Sequence, residues 1–344
     1  MRSRTSIALL AVGVLALSAC SEGGSPGTDG DLSEIRIASS FENIGSNAPF
    51  IMGEAKGYFE EEGLRLSIAA VQTDPRSFLI GGSADVAQIE LSSVAQGVAE
   101  GLDLVIFGGF RCREEFAFAV QSNIERPEDL AGQPVFLNGR PGIPIVDYRM
   151  SLLAEAGWDI SNVDVDFIDI PSGGREPTEL FAADRIDLLY FYSSDLEPLT
   201  EANAKIIYDD YSQWPNEVLV TTRAWLDANP EKAEGLLRGM MQALDDYLDP
   251  ANKAEFLGYA EAEGYDMRGA DADHEASQYV FCSNLYLNAD EFAEQLSVQG
   301  VPNPPSFEEL ANVTALLAAQ ESLGLNNEVE LTDLLNPAQG RVTG

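Results

Sequence analysis

Histidine is nearly absent from this chain: His274 stands alone in 344 residues. One imidazole cannot supply the paired histidines of common zinc sites, and it argues against a histidine-based catalytic triad. Cysteine is scarce too. Cys20, Cys112 and Cys282 form no C-x-x-C or metal-like spacing. Basic residues number 20 against 57 acidic ones, and the formal net charge is −37. Such a surface repels a phosphate backbone everywhere, which excludes a nucleic-acid partner. The acidity otherwise reads as a solvated surface of the kind a saline habitat favours, and one basic group can still dominate a cleft. Long apolar runs are missing as well. The uncharged run at residues 7–17 falls short of the roughly 20 residues that a membrane span needs.

That short run carries information of its own. Arg2 and Arg4 precede it, and Leu17-Ser18-Ala19-Cys20 closes it. A basic start, a short apolar middle and small residues after it have the shape of a secretory signal. The closing tetrapeptide resembles a bacterial lipobox, whose cysteine is lipidated, palmitate included, while the peptide before it is removed; an ordinary signal with a chance cysteine is the alternative. The small polar stretch "SEGGSPGTDG" that follows cannot bury a core and reads as a flexible tether. The expected organisation is a signal peptide at 1–19 and a tether at 20–32. The mature protein is then held to the membrane by lipid on Cys20, facing outside the cytoplasm. Cys112 and Cys282 remain, and an even pair in an oxidising compartment predicts a disulfide, with two buried thiols as the alternative.

From residue 33 the pattern alternates. "SEIRIASSF" reads as a strand and "PFIMGEAK" as a helix opened by Pro49 and ended by Gly57. Gly63 allows a tight turn, and Leu64, Leu66 and Ile68 alternate as the next strand. A strand–helix–strand crossover implies a parallel sheet. Tyr58 and Phe59, between the two glycines, read as packing residues. The alternation recurs in "PRSFLIGG", "ADVAQI", "SSVAQGVAEG" and "LDLVIFGGF". It returns in "EFAFAVQS", "GIPIVDYRMSLLAEAG", "VDVDFIDI", "EPTELFAA" and "IDLLYFY". This is α/β order twice over, with a mostly helical end from about Asn229 that includes "FEELANVTALLAAQESLG".

Together, Gly57-Tyr58-Phe59, Gly63-Leu64, Gly82-Ser83-Ala84-Asp85 and Asp129-Leu130-Ala131-Gly132 follow one another at spacings that resemble the periplasmic binding proteins for nitrate, sulfonates, taurine and thiamine precursors. "ADRIDLLYFY" and "RAWLDANPEKAEGLLRGM" extend the likeness, which covers roughly residues 33–245. The resemblance implies an α/β fold of two lobes, type II, with parallel-type sheets flanked by helices and a ligand cleft between the lobes. Lobe 1 is expected at 33–113 and 222–344, and lobe 2 at 114–221. It also implies a monomer that carries a small molecule to an ABC permease with its ATPase, with no cofactor, no metal and no catalysis. Some relatives of this fold are pyrimidine-making enzymes that consume their own lysine and histidine. The single histidine, the lack of a cysteine cluster and the export signal speak against that. A structural lipoprotein is a further alternative.

Loops beyond strand carboxyl ends are where ligands bind in open α/β sheets. On that rule the candidate ligand residues are Phe41, Asn43, Glu90, Ser92, Asn138, Arg140, Arg175, Tyr190, Tyr192 and Trp214. Glu42, Ser46, Asn47, Leu91, Ser93, Arg111, Arg113, Gly142, Ser172, Phe191, Ser193, Ser194 and Tyr211 stand near them. Many of the resembled proteins carry a Trp-x-Pro-like element where this chain has Tyr192-Ser193-Ser194, so their ligands do not transfer. The aromatic supply suits stacking on a flat ring such as riboflavin or a thiamine pyrimidine. An organic anion (sulfonate, nitrate or aromatic carboxylate) held by Arg140 or Arg175 is the alternative.

Overall fold

The computed structural model describes residues 32–281 apart from 42, 72, 112, 171–174 and 213–216, together with Ser306 and Glu309. The expectations for Cys20, the tether, the Cys112–Cys282 bridge, Glu42, Ser172, Trp214 and the "FEELANVTALLAAQESLG" helix lie outside the described residues.

The first sheet begins with β1 (Ser33–Ser39), followed by α1 (Ile44–Lys56), α2 (Tyr58–Glu61) and β2 (Leu64–Ala70). β1 and β2 are parallel, from Ser33 opposite Leu64 to Ser39 opposite Ala70. Gly57 adopts φ 78°, the left-handed turn that ends α1 and starts α2. Phe59 is 2% exposed. Its ring fills the space left by two glycines. A Cβ on Gly53 would stand 2.5 Å from Phe59, and one on Gly239 would stand 2.7 Å away. The two aromatics between glycines are therefore scaffold: Phe59 is the wedge that lets two helices approach, and Tyr58 donates a hydrogen bond to Asp246.

The chain continues through α3 (Arg76–Ile80), β3 (Val86–Glu90), α4 (Leu91–Ala99) and β4 (Leu104–Gly109). Asp85, before β3, takes the Arg36 guanidinium at 2.8 Å, and Thr221 donates to its carbonyl at 2.6 Å. The Gly-x-x-Asp motif thus pins β1, β3 and a later strand together. The chain then enters a second sheet with β5 (Glu114–Val120), β6 (Pro134–Phe136), α5 (Pro144–Glu155) and β7 (Asp166–Phe167). α6 (Glu176–Ala182), β8 (Leu188–Phe191), α7 (Leu196–Glu201) and β9 (Lys205–Ser212) complete it. β10 (Glu217–Thr222), α8 (Arg223–Ala228), α9 (Pro230–Leu248), α10 (Lys253–Ala262) and α11 (Ala270–Val280) follow.

The strand orders are β2-β1-β3-β10-β4 and β7-β6-β8-β5-β9. Both sheets are mixed rather than parallel throughout. β10 runs antiparallel to β3 and β4, and β5 runs antiparallel to β8 and β9. The reason is mechanical. A strand entering a sheet straight from a crossing starts at the edge where the parallel strands end, so it must run backwards. Because β10 lies inside the first sheet, the chain has re-entered that sheet by Glu217, earlier than the expected boundary between 221 and 222. Core side chains fill both faces of each sheet. On α9, Leu236, Leu237, Met240 and Leu244 are fully buried against the first. Burying such a side chain contributes about 1.5–3 kcal/mol.

Candidate binding cleft between the two sheets

The crossings bring a buried polar network to the seam. Glu217, first residue of β10, pairs in register with Glu90, last residue of β3. Glu217 is fully buried. Its Oε1 accepts from Ser46 Oγ and from Arg111 Nη1 (2.9 Å), and its Oε2 accepts from Gln88 Nε2 at 2.6 Å. Arg111 also reaches Glu114 of β5 at 3.4 Å. Burial lowers the pKa of Arg111, but Glu114 and Glu217 more than reverse this and leave it raised. One guanidinium therefore binds a carboxylate of each sheet.

Glu90, in register with Glu217, and Tyr192 are exposed side chains near this network. Glu90 is exposed, yet loss of bulk water around its carboxyl raises the pKa, and Glu114 adds to the rise while Arg149 opposes it. Tyr192 is 39% exposed, yet desolvation pushes its phenol up to about 12, with Glu114 adding and Arg149 and Arg111 opposing. Glu90 belongs to the first sheet. Tyr192 follows β8, and Arg149 sits on α5 over the second sheet. The geometric link between the two sheets here is Arg111, which holds Glu217 of the first and Glu114 of the second.

Arg149 was missed by the sequence reading. It is 4% exposed, and its guanidinium carbon lies 4.0 Å from the Tyr190 ring centroid. Nη1 donates to Leu137 O at 2.8 Å and to Asn138 O at 3.3 Å, while Nε is buried with no hydrogen-bond partner among the described residues. The available signal was its spacing. Val146, Arg149 and Leu153 share the buried face of α5 at three- and four-residue steps, so the charge sits in an apolar stripe. Tyr190 stacks edge-on against Tyr192 at 5.2 Å and donates to Glu115 O at 3.1 Å. Glu115, 4% exposed, accepts from the backbone N–H and the hydroxyl of Ser193 and so fixes the turn after Tyr192. Burial pushes its carboxyl up to about 7.

The other candidates are placed differently. Asn43 caps α1, its Oδ1 accepting from Ser46 N at 2.7 Å. Phe41 is half-buried beyond β1, and its carbonyl accepts from Asn47 at 3.2 Å. Ser92 is half-buried in the first turn of α4. Asn138 takes φ 53°, and its carbonyl is one of the two that hold Arg149. Arg140 donates to Asp169 at 2.7 Å, with both side chains more than half exposed. Arg175 pairs with Asp195 at 3.8 Å and donates to Ser194 O at 3.5 Å. A cavity of about 560 Å³ opens nearby, past the ends of β1, β2 and β3. The charges in its lining, Asp74 and Arg76, pair with each other at 2.7 Å.

A sequence model described as NMT1/THI5 like matches residues 45–254. The chain belongs to this family. No curated protein matches it in sequence. Among solved structures, a protein from Bordetella bronchiseptica RB50 is 22% identical with a TM-score of 0.62, covering 86% of this chain and 99% of its own. The periplasmic nitrate-binding protein NrtA from Synechocystis PCC 6803 is 12% identical with a TM-score of 0.62, covering 89% and 92%. The desulfurization enzyme DSZB is 13% identical with a TM-score of 0.60, covering 85% and 99%. These likenesses establish the fold of this NMT1/THI5-like protein, which is that of the periplasmic binding proteins.

Proposed function

We propose that this protein is the extracytoplasmic solute-binding subunit of an ABC importer, and that its ligand is a small flat heteroaromatic molecule of riboflavin or thiamine-pyrimidine type. The observation that supports the reading is the seam between the two sheets, where Arg111 joins Glu217 of the first to Glu114 of the second, with Glu90 in register with Glu217 and Tyr192 edge-on against Tyr190. A ligand touching both walls favours the closed lobes, whereas one touching a single wall cannot. Tyr192, half-exposed and backed by Tyr190, offers a stacking face. An organic anion is the second reading, supported by the partnerless Nε of Arg149. Enzymatic turnover is not part of the proposal, although DSZB shares the fold. Lipid on Cys20 would hold the protein beside its permease. Replacing Cys20 with Ala then releases it to the soluble fraction, and retention in the membrane would place the anchor elsewhere.

The test is calorimetric titration of wild type and Tyr192→Ala with riboflavin, a thiamine pyrimidine and ethanesulfonate. The heteroaromatic reading requires ring compounds to bind and to weaken about tenfold or more in Tyr192→Ala. Binding of ethanesulfonate alone, indifferent to that change, would install the anion reading.

A further inference from the structure

Two stretches of chain cross between the sheets, and α11 joins the lobes again without crossing. One side of α11 belongs to the first lobe. Ala270, His274, Ala276 and Val280 are buried. His274 Nε2 lies 2.9 Å from Tyr247 O of α9, and the two rings meet edge-on at 4.8 Å. The helix touches the second lobe near both of its ends. Tyr279 stacks on Tyr211 of β9, with 5.0 Å between centroids and 22° between planes. Gly269, which starts the helix, abuts the turn after Tyr192. The place a Cβ would take there lies 2.5 Å from Ser194 O and 2.8 Å from Arg175 Nη2. Arg175 donates to that same carbonyl at 3.5 Å.

The two contacts stand differently to the crossings. At the Tyr279 end, the N–H of Arg113 in the outgoing crossing donates to Val280 O at 3.2 Å, and Phe281 pairs with Arg111 as an antiparallel bridge. Tyr211 lies at the end of β9, just before the chain returns. This end of α11 therefore sits at the pivot. Gly269 stands about 15 Å away along the helix, at roughly 1.5 Å per residue. A rotation moves each point in proportion to its distance from the axis. A lobe rotation of about 15° thus shifts the Gly269 end by up to about 4 Å against the turn and the Tyr279 end hardly at all.

Resting on the solute-binding reading above, we propose that α11 is a strap between the lobes. It pivots with the crossings at Tyr279 and Phe281, and Gly269 is its catch, seated on Ser194 when the lobes are closed and withdrawn when they open. The contact is already as close as two backbones allow, so the rotation available from here is the one that separates the pair. The first-lobe side stays whole, because His274 is buried with its partner while the catch carries no side chain. Ser194 belongs to the turn after Tyr192, so seating the catch also fixes the turn that presents the proposed stacking face.

The experiment measures the distance between spin labels at Thr73 and Ile143 in the full chain in detergent, by pulsed electron paramagnetic resonance. Both positions are exposed, beyond the ends of β2 and β6. Ketone-bearing residues carry the labels, which leaves the native cysteines untouched. With no ligand added, Gly269→Ala and Ser194→Leu wedge the catch from opposite sides. Each is expected to lengthen the distance by about 4 Å or more. Tyr279→Ala, at the pivot, is expected to leave it unchanged. Circular dichroism checks that each variant is folded, and if Gly269→Ala does not fold, Ser194→Leu decides. The proposal is overturned if a folded wedging variant leaves the distance unchanged, or if Tyr279→Ala lengthens it as much as they do. Riboflavin, a thiamine pyrimidine and ethanesulfonate are then added to wild type. Silence of all three counts against the solute-binding reading alone, because the variants are compared without ligand.

Discussion

Arg111 donates to Glu217 at 2.9 Å from the segment where the chain leaves the first sheet, and Glu217 is the residue at which the chain returns to it. The pair ties the outgoing crossing to the incoming one. Its third member, Glu114, opens the second sheet.

Removing the cation should therefore be severe. Arg111→Met leaves Glu217 buried without its counter-charge, which costs about 3–5 kcal/mol. Urea unfolding followed by tryptophan fluorescence checks this. A loss below about 1 kcal/mol would mean that Ser46 and Gln88 suffice to hold the carboxylate.

Glu115 predicts a pH dependence of stability. Its pKa is raised to about 7 by burial, so the folded state holds a proton that the unfolded chain has lost. Stability from this group is full below the ordinary glutamate range and falls as pH rises through about 7. Asp273, raised to about 6 chiefly by burial, acts in the same direction. Glu115→Gln mimics the protonated form. The stability difference between wild type and Glu115→Gln should therefore be small near pH 5 and should move against wild type by pH 8. A constant difference across that range would show that Glu115 titrates normally.

Phe59→Ala should cost about 3–5 kcal/mol, the range for deleting a buried aromatic. Gly53 and Gly239 cannot refill the space without moving a helix, so the cavity stays open. Thermal unfolding checks the size of the loss.

Gly269 is a position where no side chain fits. It takes φ 74°, and a Cβ there would lie 2.5 Å from Ser194 O and 2.7 Å from Ser194 Cβ. Ser194 belongs to the turn after Tyr192, and Gly269 starts α11, which packs beside the first sheet's helices. Gly269→Ala should push α11 from that turn, with a backbone cost alone of about 1–2 kcal/mol. A lowered melting temperature together with a larger radius in X-ray scattering is the expected result. An unchanged radius would show that the strain is absorbed locally.

Most of the first sheet was legible because glycine and apolar alternation mark it: Gly57, Gly63 and the Leu64-Leu66-Ile68 spacing fall where the structure has turns and a strand. β9 was not legible. "KIIYDDYS" puts Asp209 and Asp210 in a strand, a choice that β propensity disfavours and that pairing with β5 overrides. The proposed site was read by a rule about strand ends, which reaches the loops of Glu90 and Tyr192 but cannot see a buried helix side chain such as Arg149. Nor can it tell an asparagine that caps a helix, Asn43, from one that meets a ligand. Arg140 looked available because its partner Asp169 lies 29 residues away, and only the fold brings the two together.

The place of β10 also sets the order in which the lobes can form. β10 lies between β3 and β4, so β4 has no neighbour to join until residue 222 has been made. The second sheet starts later but has all five of its strands by Ser212. As the chain is synthesised, the sheet begun second is the first that can be completed. The sheet begun first waits, with Gly108 and the rest of β4 unpaired, for a strand not yet made.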